Sequence, residues 1–319
     1  MRKKHPPADG PSTFQRTSDS TQLQFSSKEV EKAALSFKKS SAPGPSGQRP
    51  EHLRVVLKDS PANRTVKAIS ALSRVVNLMA RGEVPPTVAP FLCGARLHAA
   101  IKKDGGLRPI AVGNLLRRLT SKLVASSLSQ KAAAYLAPHQ LGVGVRGGCE
   151  AILHTTRQVL DENPDLSLLQ GDLVNAFNLA DRDATFREVE EFFPECLSWV
   201  LTSYQNPSLL QFGSTTILSE RGYHQGDPIA SLLFSLLLHP IVSKIKAEVP
   251  DLKVNAWYLD DGSQVGTRQQ LQEVVDILEK EGPPRGSSSQ PQQLLHLPSS
   301  PRLQSGAPPV REKNLVTTS

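Results

Sequence analysis

The stretch Val254-Asn255-Ala256-Trp257-Tyr258-Leu259-Asp260-Asp261-Gly262-Ser263-Gln264-Val265 places two short runs of strand-forming residues on either side of Asp-Asp-Gly. Apolar flanks meeting at that tripeptide predict a β-hairpin. Adjacent carboxylates at a tight turn repel one another unless water or a cation compensates. A solvated hairpin tip answers that demand as a bound cation does, so the stretch alone leaves both readings open. Upstream, Leu166-Ser167-Leu168-Leu169-Gln170-Gly171-Asp172-Leu173 delivers an aspartate near the end of a short apolar strand, with Ala176-Phe177 just beyond. Taken singly, Asp172 also reads as the cap of a following helix. Taken with Asp260 and Asp261, it completes an oxygen-only carboxylate set of the kind that suits Mg²⁺ or Mn²⁺. Two such ions can hold the attacking and leaving oxygens of a phosphoryl transfer, which makes nucleotidyl transfer the matching chemistry.

Between the two acidic stretches lies Gly222-Tyr223-His224-Gln225-Gly226-Asp227-Pro228, followed by an apolar run from Ile229. Asp227 as N-cap and Pro228 at the first helical position predict a buried helix starting there. Capping does not account for Gln225-Gly226, which suits a close backbone approach, for example to a base pair.

Farther out, Ser26 and Glu29 form a capping box, with Phe25 positioned to staple onto Val30, so a short helix should run to about Phe37. Residues 41–47 are a loop. Val66, Ile69, Leu72, Val76 and Met79 share one helical face, with Gly82 as a stop. Residues 96–102 and 107–112 read as strands around Lys103-Asp104-Gly105-Gly106, and 115–136 and 149–160 as helices. This mixed order predicts an α+β fold rather than regular βαβ alternation.

The 319 residues allow one large or two ordinary domains, which excludes a peptide-sized or disulfide-stapled scaffold. The formal charge of +7 favours an anionic partner such as nucleic acid. Cys93, Cys149 and Cys196 are odd in number and not spaced as zinc ligands, which fits free thiols in a reducing compartment. The start, Met1-Arg2-Lys3-Lys4-His5-Pro6-Pro7, lacks the apolar run of a secretory signal. The most apolar stretch, 229–242, is interrupted by His239-Pro240 and is shorter than the ~20 residues of a membrane span. The chain therefore reads as intracellular, with nuclear and cytoplasmic locations both open and no membrane partner. Residues 1–24 read as a disordered lead, 25–281 as the folded domain, and 282–319 as a disordered Pro- and Ser-rich tail. The tail boundary follows from composition, since residues 281–319 hold seven Pro, seven Ser and no Phe, Trp or Tyr.

A family resemblance emerges from the order of the motifs. Lys102-Lys103-Asp104-Gly105-Gly106-Leu107-Arg108-Pro109-Ile110 comes first, then Gln140-Leu141-Gly142, then Asp172 with Ala176-Phe177. Gln225-Gly226-Asp227-Pro228 with Leu232-Leu233-Phe234 follows, and Tyr258-Leu259-Asp260-Asp261 closes the series. This ordered set resembles reverse transcriptases, RNA-directed DNA polymerases, and within them those of non-LTR-type retroelements, a likeness that covers about residues 25 to 281.

The resemblance implies right-hand polymerase fingers and palm, the palm an antiparallel sheet backed by helices. By position, Asp172, Asp260 and Asp261 would be the catalytic residues holding Mg²⁺ or Mn²⁺, with the Leu173 carbonyl as a further ligand. Phe177 would pack under the sugar and disfavour a 2′-hydroxyl, and Gln225 and Gly226 would line the nascent base pair. Lys102, with Lys103 as its rival, and Arg108 would hold the triphosphate of an incoming deoxynucleotide. The implied partners are an RNA or DNA template with its primer and deoxynucleoside triphosphates.

The chain departs from the family pattern in two places. His224 stands where Gln is common, and Ile229-Ala230-Ser231 replaces the usual Gly-Pro after Gln-Gly-Asp-Pro. Past the hairpin the family continues into a helix, a lysine-bearing strand, a primer grip and a thumb. Here residues 271–280 read as the helix, and the composition then changes, so a chain truncated before its thumb is expected, by frameshift, splicing or decay of an element copy. A thumbless polymerase loses a long track of phosphate contacts. The alternative function is therefore a non-catalytic nucleic-acid-binding remnant of such a polymerase. A second rival rests on Gly142-Val143-Gly144-Val145-Arg146-Gly147, formally a dinucleotide-binding fingerprint. That fold needs a buried strand immediately before it, and Pro138 argues against one. No HExxH, CxxC or GxSxG occurs to support zinc or serine-hydrolase chemistry.

Overall fold

A computed structural model describes residues 1–17, 22–58, 61–101, 105–173, 175–286 and 293–295, with the backbone alone for Asp172 and 293–295. Its helices are α1 (Ser27–Leu35), α2 (Pro50–Lys58), α3 (Ala62–Ala80), α4 (Ala89–Leu92), α5 (Leu115–Leu136), α6 (Gly148–Glu162), α7 (Ala176–Leu179), α8 (Arg182–Phe192), α9 (Leu197–Tyr204), α10 (Ala230–Glu248) and α11 (Arg268–Glu281). Its strands are β1 (Ala95–Ile101), β2 (Leu107–Gly113), β3 (Ser167–Asp172), β4 (Ser208–Phe212), β5 (Thr215–Ser219), β6 (Val254–Tyr258), β7 (Asp261–Gly266) and β8 (Gln293–Leu295). The mixed helix-and-sheet class read from the sequence is what forms.

Local signals account for many of these boundaries. The Ser26/Glu29 capping box opens α1, and Thr267 with Gln270 opens α11 in the same way, each pair satisfying two otherwise orphaned N–H groups. Gly82, at φ +76°, ends α3 in the left-handed conformation. The β1–β2 hairpin and helices α5 and α6 lie where apolar periodicity predicts them. The β4–β5 hairpin has no counterpart in the sequence reading.

The strands form two sheets. The first has the order β2-β1-β4-β5, antiparallel except where β1 runs parallel to β4. The second, β6-β7-β3-β8, is antiparallel throughout. One face of the second sheet packs Leu168, Val254, Ala256 and Val265 on Ile152 and Leu160 of α6. Leu169 and Trp257 instead join the main core, which gathers apolar residues of α1, α3, α5 and α8–α11. Helix α10 is long and apolar enough to cross a membrane by length and composition, yet most of it is buried in this core.

Four sequence expectations change. Helix α10 begins at Ala230 rather than Pro228, after a tight turn in which Ala230 N donates to Asp227 O at 3.0 Å, and it runs on through Pro240. The hairpin turns at Leu259-Asp260 rather than Asp-Asp-Gly: Asp261 already pairs with Tyr258, and Gly262 lies in β7 under the Trp257 ring. A Cβ built on Gly262 would come within 2.8 Å of that ring, so the glycine serves packing rather than the turn.

The lead is the third change. Residues 1–17 are laid against the domain, with Phe14 buried edge-on to Phe186 at 5.4 Å and Ser12 and Thr13 bonding the Asp183 carboxylate. Composition registers that segment's polarity but not the partners awaiting it. Fourth, the tail expectation changes for the described residues beyond 281. Pro283–Arg285 form a 3-10 turn whose Arg285 carbonyl accepts from Asp181 N at 3.0 Å, and Gln293–Leu295 pair with β3. The remainder of the predicted tail lies outside the described residues.

Candidate active site

Register brings the acidic residues together. β3 and β7 pair antiparallel so that Asp172 is directly opposite Asp261, and Gly171 is opposite Gly262. Asp260 occupies the turn immediately before Asp261, partly buried, while Asp261 is exposed. Like charges directly opposed across a sheet are destabilising. Asp260 and Asp261 carry carboxylate oxygens of the kind a hard divalent cation takes, and Asp172 faces Asp261 in backbone register, so the residue types at this end of the sheet suit Mg²⁺ or Mn²⁺. Among the described residues no cluster of three or more His, Cys, Asp or Glu side chains forms a metal cage, and the Asp172 side chain lies outside that description. Leu173 follows with its side chain buried in the main core.

The turn itself is strained. Leu259 has φ +58°, a left-handed conformation that costs a residue with a Cβ roughly 1–2 kcal/mol. It is held by Gln140, whose Oε1 accepts from Leu259 N at 2.8 Å and whose Nε2 donates to Leu259 O at 3.1 Å. The backbone on either side of Gln140 lies along β6: Trp257 N donates to His139 O at 2.7 Å, and Leu141 N donates to Trp257 O at 2.8 Å. The His139 ring adds a 2.7 Å contact from Nδ1 to the Asn255 carbonyl. No individual role for Gln140 follows from sequence, because its partner is remote in the chain. The loop that holds it follows helix α5, so the buried strand demanded by a dinucleotide-binding fold is not what precedes Gly142.

Phe177 lies on the short helix α7, half-buried and stacked on Phe234 of α10 with ring centroids 5.0 Å apart. Its carbonyl accepts from Tyr223 N at 2.6 Å, and Gly222 N donates to Ala180 O at 3.0 Å. This close pairing requires glycine at 222, where φ is +60° and a Cβ would stand 2.2 Å from the Phe177 carbonyl oxygen. Beside α7, Asn175 Nδ2 donates to the Lys4 carbonyl at 3.1 Å, while Met1 packs on the apolar cluster of the first sheet. The amino-terminal turn thus reaches from the Phe177 segment to the first sheet.

Gln225 and Gly226 dock onto β2 through the backbone: Ala111 N donates to Gln225 O at 2.8 Å. Gly226 has φ +118°, and a Cβ there would approach Ala111 O to 2.9 Å. The glycine therefore meets a strand of the first sheet, a reason for its presence that sequence reading did not supply. Arg108 is exposed on the same strand. Lys102 and Lys103 lie outside the described residues, just past Ile101 at the exposed end of β1.

Beneath this surface sits a buried polar network. Asp227 Oδ2 accepts from Arg117 Nη2 at 2.8 Å, from Arg117 Nε at 3.1 Å and from the Tyr204 hydroxyl at 2.8 Å. Burial works against the Arg117 charge, and Asp227 and Tyr204 outweigh it, so its pKa is raised. Burial and the Asp227 charge push the Tyr204 hydroxyl well above its ordinary value, which keeps it a donor. Arg182, also buried, bonds the carbonyls of Gly222, Tyr204, Ser219 and Arg221, and burial lowers its pKa to about 10. His224 stands 3.2 Å from Ser208 Oγ; burial first, then Arg117 and Arg182, hold it well below the usual histidine range, so it is neutral near pH 7. The sequence offered Asp227 only as a helix cap, and it does accept from Ile229 N at 3.3 Å, but its principal partners come from α5 and α9.

The profile of the family described as "Reverse transcriptase (RNA-dependent DNA polymerase)" matches residues 101–286, which include every site residue named above from Lys102 to Asp261. No curated protein sequence matches the chain. Among solved structures, the apo telomerase from Candida tropicalis truncated from its C-terminal domain is similar, with a TM-score of 0.49 and 15% identity over 65% of this chain. The match covers 50% of that telomerase chain.

Proposed function

Since the chain belongs to the reverse transcriptase (RNA-dependent DNA polymerase) family, we propose that it extends a primer 3′-hydroxyl by template-directed nucleotidyl transfer, in the manner of a non-LTR-type retroelement polymerase. On this reading the second sheet with α6, α10 and α11 is the palm, and the first sheet with α1–α5 belongs to the fingers. The observation that carries it is the β3–β7 register, which sets Asp172 opposite Asp261 with Asp260 in the adjoining turn. A Mg²⁺ or Mn²⁺ pair held by Asp172, Asp260 and Asp261, with help from the Leu173 carbonyl, would neutralise phosphate charge and bind the attacking and leaving oxygens.

The protein's own contribution is orientation and exclusion, the principal devices open to phosphoryl transfer. Phe177, braced by Phe234 and by the Gly222-Tyr223 backbone, packs under the sugar and disfavours a 2′-hydroxyl. Arg108, with Lys102, binds the triphosphate, and Gln225-Gly226 borders the base pair while anchored to β2. The substrates are a deoxynucleoside triphosphate and an RNA or DNA template with primer. The net charge of +7 supports an anionic partner. We place its action inside the cell, where template and nucleotides are found.

Primer extension with Mg²⁺ on RNA and DNA templates tests the proposal, comparing the wild type with Asp260→Asn, which removes one charge at nearly constant shape. Wild-type extension that falls about a hundredfold or more in the variant supports it. Absence of extension by folded wild-type protein, with salt-sensitive nucleic-acid binding retained, would overturn it in favour of a non-catalytic binder.

A further inference from the structure

The turn bearing Asp260 and Asp261 depends on a residue that lies 119 positions away in sequence. Gln140 is 2% exposed, and both ends of its carboxamide are engaged: Oε1 accepts from Leu259 N at 2.8 Å and Gly142 N at 3.0 Å, and Nε2 donates to Leu259 O at 3.1 Å. Both backbone polar groups of the left-handed turn residue are thus satisfied by one side chain. Gly142 closes the other side, since a Cβ there would lie 2.7 Å from Leu259 N and 2.9 Å from the Leu259 side chain.

This demand is chemical rather than volumetric. A carboxamide offers a donor and an acceptor side by side at the tip of a side chain of this length, as an ionised carboxylate or an apolar chain does not. Leu or Met fills similar space but leaves the Leu259 N–H and C=O unpartnered, whereas Glu keeps the acceptor and loses the donor.

We propose that Gln140 is a positioning residue: by gripping both peptide groups of Leu259, it sets where Asp260 and Asp261 stand relative to Asp172. Its catalytic consequence rests on the polymerase reading above; the grip itself does not.

The test uses the full chain as wild type, Gln140→Leu, Gln140→Met and Gln140→Glu. Three quantities are measured: amide hydrogen exchange at Leu259, Mn²⁺ binding by electron paramagnetic resonance, and the Mg²⁺ dependence of primer extension. Gln140→Leu is expected to speed Leu259 exchange about tenfold while α10 amides stay protected, the loss of one hydrogen bond. It should also weaken Mn²⁺ binding about tenfold and raise the half-saturating Mg²⁺ concentration to match, with primer KM unchanged. Gln140→Glu should return Leu259 protection toward wild type, a rescue that volume alone does not produce. Gln140→Met replaces Gln140→Leu if the branched side chain prevents folding.

Unchanged Leu259 exchange and Mn²⁺ affinity in either folded apolar variant would overturn the proposal. Wild-type protein that neither extends primers nor binds Mn²⁺ would overturn the polymerase reading and the catalytic consequence with it. Faster Leu259 exchange in Gln140→Leu would still uphold the grip in that case.

Discussion

Asp227 shows how one residue can satisfy a local rule and serve a distant one. Its Oδ1 accepts from Ile229 N near the start of α10, as a capping reading predicts, while its Oδ2 accepts from Arg117 and Tyr204. Both members of the ion pair are almost fully buried, with side-chain exposures of 1% and 3%. Removing one partner leaves a cation without compensation in a dry interior, typically a loss of about 3–5 kcal/mol. Asp227→Ala is therefore expected to lower the urea-denaturation free energy by about that amount, and Asp227→Asn, which keeps acceptor and shape, by less. Equal, small effects of both substitutions would show that the pair is not a structural anchor. Because Gln225 and Gly226 directly precede it, the same anchor sets how that segment meets β2.

At the scale of elements, the site depends on segments that brace one another. The α7 segment carrying Phe177 is held by the Gly222-Tyr223 backbone, and this approach tolerates no side chain at 222. Gly222→Ala combines a left-handed backbone position with a clash against the Phe177 carbonyl. We expect a destabilisation of at least about 1–3 kcal/mol. The α7 resonances should shift in an NMR comparison, while those of α1 and α3 stay in place. If the variant matches wild type in both stability and spectrum, the brace is not as tight as its geometry indicates. The Asp-Asp hairpin was legible as an element because alternating strand formers flank it, but its turn position was not. Gly262 drew the sequence reading toward Asp-Asp-Gly, whereas that glycine is required by the Trp257 ring, and the turn falls on a leucine held from outside.

For the whole molecule, burial of ionisable groups couples folding to pH. His224 is kept neutral by burial and by Arg117 and Arg182, so its folded pKa lies well below its ordinary 6.5; His5 is lowered to about 4 by burial, then by the amino terminus and Arg182. The unfolded chain therefore binds protons below pH 6.5 that the folded chain refuses. Stability from these groups is complete above that pH and is lost as pH falls below it. Each group contributes a slope of up to about 1.4 kcal/mol per pH unit until its folded pKa is reached. Denaturation free energies at pH 7.5, 6 and 5 should decline accordingly, and His224→Gln should flatten the decline. A stability that rises between pH 6.5 and 5 would contradict the assignment.

Helix caps, breaker glycines, the alternating strands around Asp260 and the apolar run of α10 could all be read in advance. Each is a short-range preference of the backbone or a periodic demand for burial, and such signals are local to the chain. The motif order carried the family for the same reason, since chemistry at a site restricts residue types one by one. What could not be read are the meetings of remote segments. These include Gln140 against Leu259, Arg117 against Asp227, and residues 1–17 against Phe186 and Asp183. Composition marked that lead as unable to order itself, and alone it has little apolar surface to bury; a preformed surface supplies the partners. The approach of two segments depends on everything packed between them, so these contacts become definite only when the chain has closed on its core.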